Sequence, residues 1–170
     1  KIPLVLAVGG KDCVAVPFVL PSARQARQRQ ALGYVLEASL PWAAEECVAD
    51  YDFQGGRALG YALPIEPLKS LLDKKKKKGI RVVSVTPLAR LALQSYLKKS
   101  SPPKGKWCLV WGSSESIDLW LLEHRTPLLW RHLPADLESV QREIRQLQLQ
   151  LQEQGGTPAT LIGVPPDWGD

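Results

Sequence analysis

The stretch CLVWGSSESIDLWLLEHRTPLLWRHLP, residues 108–134, holds three apolar runs separated by short polar breaks. Residues 107–111, 117–122 and 128–132 are rich in Leu, Ile, Val and Trp, and Gly, Ser, Thr and Pro stand between them. This pattern predicts three successive strands. Residues 136–154 follow, with Leu137, Val140, Ile144, Leu147 and Leu151 at alternating spacings of three and four. That is the period of a helix with one buried face, and Gly155-Gly156 ends it. Residues 159–164 read as a last strand. The stripe is shorter than the roughly three to four heptads a coiled coil needs, so it is read as core packing. The opposite face carries Gln141, Gln146, Gln148, Gln150 and Gln152, an uncharged contact surface.

Upstream, Ser100-Ser101-Pro102-Pro103-Lys104-Gly105-Lys106 has the composition of a surface linker. We expect a division there, giving parts at 1–99 and 107–170. In the first part, residues 4–8 and 13–19 flank Gly9-Gly10-Lys11-Asp12 and read as a hairpin. Ser22, with Gln25 three residues on, predicts a helix start. Leu32, Val35, Leu36 and Leu40 form its apolar face, and Pro41 closes it. Residues 47–53 and 58–63, joined by Gln54-Gly55-Gly56-Arg57, predict a second hairpin. A helix starting at Glu66-Pro67 carries Leu68, Leu71 and Leu72, with Gly79 as its C-terminal cap. The β-branched run 80–85 predicts a buried strand. Thr86-Pro87 opens a further helix with Leu88, Leu91, Ala92 and Tyr96 on one side. Hairpins mixed with crossover helices give a mixed α/β fold class.

Composition excludes several classes. With 170 residues, 45% of them hydrophobic and 23% charged, the chain can bury a core, so disorder is not the expectation. No apolar run approaches the roughly 20 residues of a membrane helix. The chain has no methionine and opens on Lys-Ile-Pro without a signal-peptide pattern, so a piece of a longer protein is expected. The net charge of +5 is local: without Lys74, Lys75, Lys76, Lys77 and Lys78, basic and acidic side chains balance. One basic spot is weaker ground for nucleic-acid binding than a basic face would be. Cys13, Cys47 and Cys108 have no ligand spacing, so neither a zinc site nor a disulfide framework is expected.

Residues 108–134 resemble a line of the actin-like ATPase superfamily, whose fold is ribonuclease H-like. In that line a strand ends at Asp-x-Gly, turns, and returns as two more strands to an Arg-x-Leu-Pro-like segment. Here the segment is Arg131-His132-Leu133-Pro134. The first part resembles the inserted subdomain of PilM, GspL and FtsA. There a helix ends in a Leu-Glu…Leu-Pro pattern, here Leu36-Glu37-Ala38-Ser39-Leu40-Pro41, and "GIRVVSVTPLARLAL" (residues 79–93) resembles the return into the core. The likeness is nearer to PilM and GspL than to FtsA. It implies a cytoplasmic module at the bacterial inner membrane, in type II secretion or type IV pilus assembly. The partners it implies are a secretion ATPase and a short membrane-anchored protein. Oligomerisation and an anionic lipid surface are compatible with it.

Two departures bear on catalysis. The superfamily's phosphate-binding aspartate aligns with Val110, and no segment matches its first phosphate loop. Valine can neither hold a magnesium-bound water nor orient a nucleophile. We therefore expect a scaffold without catalytic residues, metal or cofactor. The alternative is an ATP-binding protein whose first loop lies outside this chain.

The remaining motifs each suit a plain structural role as well. Gly112, Ser113 and Ser114 keep the small residues of a phosphate loop, and their amides would suit an anion; a tight turn needs the same residues. Gly9-Gly10-Lys11 is followed by Asp12 and a strand, unlike a P-loop. His124 and His132 stand apart from any carboxylate pair, and no triad or nucleophile elbow is present. The five lysines suit anionic head groups or nucleic acid, and equally a solvated helix end. Tryptophans at 42, 107, 111, 120, 130 and 168 are either core or partner anchors.

Overall fold

A computed structural model of the chain describes residues 3–19, 35–54, 57–153 and 160–162. They form two compact units, Lys1–Lys99 and Ser100–Asp170.

The first unit holds strands β1 (Pro3–Val8), β2 (Val14–Val19), β3 (Cys47–Gln54), β4 (Arg57–Pro64) and β5 (Arg81–Pro87), with helices α1 (Ile65–Lys77) and α2 (Leu88–Lys99). β2, β4 and β3 make an antiparallel sheet in that order, and β1 pairs with β5 in parallel. The expected hairpin at 47–63 forms, with Gln54 opposite Arg57. The expected hairpin between residues 4–8 and 13–19 does not. A short 3₁₀ turn at Gly10–Asp12 sends β1 and β2 into different sheets. β2 becomes an edge strand, which explains how it accommodates Pro17, a residue with no N–H to donate.

β4 is central and buried on both faces from Ala58 to Leu63. Gly60 is required there: a Cβ would stand 2.7 Å from Leu36 Cδ2. Leu36, on the helical residues 35–37, is thus seated directly over the strand. Of the expected helix at 22–40, the cap at Ser22 and the Leu32 position lie outside the described residues. Val35, expected to be buried, is 38% exposed.

Asp52 of β3, Tyr61 of β4 and Arg90 of α2 tie this sheet to a helix. Arg90 Nε donates to Asp52 Oδ2 at 3.0 Å, its NH2 group donates to Oδ1, and the Tyr61 hydroxyl donates to Oδ2 at 2.8 Å. The guanidinium also lies 5.2 Å from the Tyr61 ring centre. Burial, and then the Asp52 charge, push the tyrosine hydroxyl well above its ordinary range, so it stays a donor.

β5 is not the buried strand expected. Its first half is largely exposed, with Val83 at 52%, because among the described residues it is paired only by β1. In α2 the buried residues are Ala89 and Leu93, whereas Leu88 is 52% exposed. Helical side chains lean toward the N-terminus, so a first-position residue projects past the helix start.

α1 ends as expected. Ile80 N donates to Lys75 O at 3.1 Å and Gly79 N to Lys76 O at 2.9 Å. This is the paired-bond cap that requires a left-handed residue, and Gly79 has φ 72°. Gly79→Ala is expected to cost about 1 kcal/mol. An urea melt showing no loss would contradict this account of the cap.

The second unit holds β6 (Lys106–Gly112), β7 (Ser116–Glu123), β8 (Thr126–Pro134), α3 (Leu137–Glu153) and β9 (Thr160–Ile162). The sheet order is β8-β7-β6-β9. β6, β7 and β8 are antiparallel neighbours, and β9 returns parallel to β6 after α3. Asp136 accepts from Ser139 N at 2.7 Å and so caps α3. That hydrogen bond holds its carboxyl below the usual range.

Alternation divides the sheet into two faces. Cys108, Val110, Ile117, Leu119, Leu121 and Leu129 pack with Val140, Leu147 and Leu151 of α3. Leu137, expected in that stripe, is 56% exposed at the first helical position, as Leu88 is in α2. Trp107, Leu109, Trp120, Leu122 and Trp130 occupy the other face and are buried as well. Trp120 stacks on Trp130, their centres 5.4 Å apart and their planes 13° from parallel. Cys47 and Cys108 are buried free thiols, and burial pushes Cys108 up to about 11.

Candidate functional site

The residues aligned with a phosphate loop form the turn from β6 to β7. Gly112 is sterically required: a Cβ there would stand 2.2 Å from Ser116 O and 2.8 Å from Ile117 Cα. The turn uses its own polar groups. Ser113 N donates to Ser116 O at 2.9 Å, and Glu115 N donates to Ser113 Oγ at 3.2 Å. Of the candidate amides at 112–114, that of Ser113 is therefore committed within the turn, as is the neighbouring amide of Glu115. Glu115 adds an exposed carboxylate to the same loop. Both features disfavour a phosphate there.

Val110, in the aspartate position, is 5% exposed and belongs to the apolar cluster beneath α3. Its side chain faces that core.

The lysine run lies in the other unit, over the last turn of α1. Lys74 and Lys76–Lys78 are exposed, and Lys75 is half-buried. Positive side chains there also suit the negative end of the helix dipole. Beside it is a hollow of about 420 Å³, lined in part by Leu72, Lys76, Ile80 and Arg81. The Gly9-Gly10-Lys11 segment is a 3₁₀ turn with Gly10 buried. Among the described residues no cluster of His, Cys, Asp and Glu could hold a metal, and no helix is long and apolar enough to cross a membrane.

The two histidines differ in their surroundings. His132 does not stand apart from a carboxylate: its Nδ1 is 3.0 Å from Asp118 Oδ1. The same oxygen accepts from Trp130 Nε1 at 2.9 Å. Asp118 and His132 are cross-strand partners in β7 and β8, and Trp111 of β6 is opposite Asp118. The three side chains therefore form one row on one face of the sheet. The pairing signal was present in sequence only as two alternating strands whose register was unknown. His124 has a separate role: with φ 54° it sits in the β7–β8 turn and its carbonyl accepts from Trp107 Nε1 at 2.6 Å. Of the tryptophans, 107, 120 and 130 are core and Trp111 is 45% exposed. Trp168 lies outside the described residues.

No protein-family model matches the chain. No curated protein sequence matches it either. Solved structures do. The PilM–PilN type IV pilus biogenesis complex matches with TM-score 0.65 and 19% identity, over 84% of this chain and 46% of that one. The cytoplasmic domain of EpsL, an inner-membrane component of the Vibrio cholerae type II secretion system, matches with TM-score 0.61 and 14% identity, over 95% and 61%. A Bacteroides thetaiotaomicron protein of actin-like ATPase fold and unknown function matches with TM-score 0.54 and 13% identity, over 98% and 62%. The mixed α/β chain thus has an actin-like fold, shared with pilus and secretion proteins. It spans between 46% and 62% of the lengths of the structures it matches.

Proposed function

We propose that this chain is part of a non-catalytic scaffold in a bacterial secretion or pilus assembly platform, working on the cytoplasmic side of the inner membrane. The observation that carries this reading is Val110. The position where the superfamily places a phosphate-binding aspartate is an apolar residue packed beneath α3. The committed amides of the 112–115 turn and the carboxylate of Glu115 support the same reading. The partners it brings are a secretion ATPase and a short membrane-anchored assembly protein. Lys74–Lys78 would add contact with anionic lipid, about 1 kcal/mol for each lysine near the surface.

Calorimetric titration of ATP with magnesium, into this chain and into any longer protein that contains it, tests the non-catalytic part. No binding heat is expected in either. Micromolar binding to the longer protein would overturn the proposal in favour of an ATP-binding protein whose first phosphate loop lies outside residues 1–170.

A further inference from the structure

The row Trp111–Asp118–His132 is not used by the scaffold reading, and its chemistry is specific. It lies at the end of the second unit's sheet next to the 112–115 turn, where the buried tryptophan face reaches solvent. The next row inward is Leu109–Trp120–Trp130, at 5%, 0% and 2% exposure. In the outer row Trp111 is 45% exposed, and the Asp118 and His132 side chains are 15% and 23% exposed.

The polar atoms of this row point to one kind of ligand. Asp118 Oδ1 takes both local hydrogen bonds, from Trp130 Nε1 and from His132 Nδ1. Asp118 Oδ2 and His132 Nε2 have no hydrogen-bond partner among the described residues. Among the described residues no fully buried side-chain polar atom lacks a partner, so neither of these two atoms is sealed from solvent. With the imidazole proton on Nδ1, Nε2 is an acceptor, as both carboxylate oxygens are. The row thus presents acceptors and an exposed indole face. Glu115 adds negative charge at the same end of the sheet. The Trp111 indole N–H is the one side-chain donor the row offers an anion, and the carboxylate beside it opposes one. A planar cation with several N–H groups matches all three elements: it donates to carboxylate and imidazole and lies against the indole.

We propose that Trp111, Asp118 and His132 form a receptor for a guanidinium group, the side chain of an arginine on a partner protein's segment. Asp118 supplies the charge, Trp130 and His132 hold its carboxylate in place, and Trp111 supplies the flat face. This does not depend on whether the chain binds nucleotide, so it can fail while the scaffold reading stands.

The test uses ¹⁵N-labelled chain at about pH 8, above the ordinary histidine value. N-acetyl-arginine-methylamide is titrated in, and the indole N–H signals of Trp111 and Trp130 are followed. A saturable shift with Kd on the order of 1–10 mM is expected, the range for a single side chain. The uncharged isostere N-acetyl-citrulline-methylamide should leave the signals in place. Asp118→Asn keeps an acceptor for Trp130 and His132 but removes the charge, and should weaken binding at least tenfold. Retained Trp107 and Trp120 signals report that this variant folds. Should it not fold, Trp111→Ala, at an exposed position, should weaken binding several-fold. No saturable shift, an equal response to citrulline, or undiminished binding in the folded variants would each overturn the proposal.

Discussion

Trp120→Ala is expected to unfold the Ser100–Asp170 unit under conditions where the parent chain is native. Trp120 is fully buried, in the middle of β7, and stacked on Trp130. Truncating a core tryptophan costs about 3–5 kcal/mol through lost transfer energy and the cavity left behind. Loss of the stacked pair adds about 0.5–1.5 kcal/mol. A domain of this size has on the order of 5 kcal/mol in all. Near-UV circular dichroism and urea unfolding would read the loss. Trp111→Ala is the control: the ring is half exposed, so its removal should change stability by no more than about 1 kcal/mol. Equal effects of the two substitutions would show that the assignment of core and surface tryptophans is wrong.

Val110→Asp should come close to it in severity, with a loss of about 3–5 kcal/mol from an uncompensated charge in an apolar core. The new carboxylate would lie among Ile117, Leu119 and Val140, where no donor is available to it. This variant also probes the proposed function. Restoring the superfamily's residue should not restore nucleotide binding, because the side chain at 110 faces α3. Urea unfolding followed by tryptophan fluorescence, with calorimetric titration of ATP and magnesium, reads both outcomes. A variant as stable as the parent that bound nucleotide would refute both the packing account and the scaffold proposal.

Much of the local structure was legible from the sequence. The three strands in residues 107–132, the helix that follows them, the β3–β4 hairpin and the glycine cap of α1 all follow from short-range patterns. Alternation, helical spacing and turn residues act between neighbours a few positions apart, so one window of sequence contains the whole cause. The 112–115 turn was legible in the same way. The residue type of Gly112 marks the turn, and the structure adds the reason, a close approach to Ser116 and Ile117.

What the tertiary structure decided were the long-range pairings. Residues 4–8 carry the pattern of a strand but nothing that names a partner, and the nearest run in sequence is not the one they pair with. The actual partner, β5, stands in the chain only after the three strands of the other sheet and α1. The burial of the tryptophans is of the same kind, since alternation groups residues by face but does not say where a face ends. Trp107 and Trp111 share one face, yet the first is sealed and the second open. The Asp118–His132 pair depends on the register of β7 against β8. A slip of one residue would send the two side chains to opposite faces. Sequence determined the elements and the chemistry each could carry. Only the packed fold brought a carboxylate, an imidazole and an exposed indole into one row, because that requires three strands to fix their registers together.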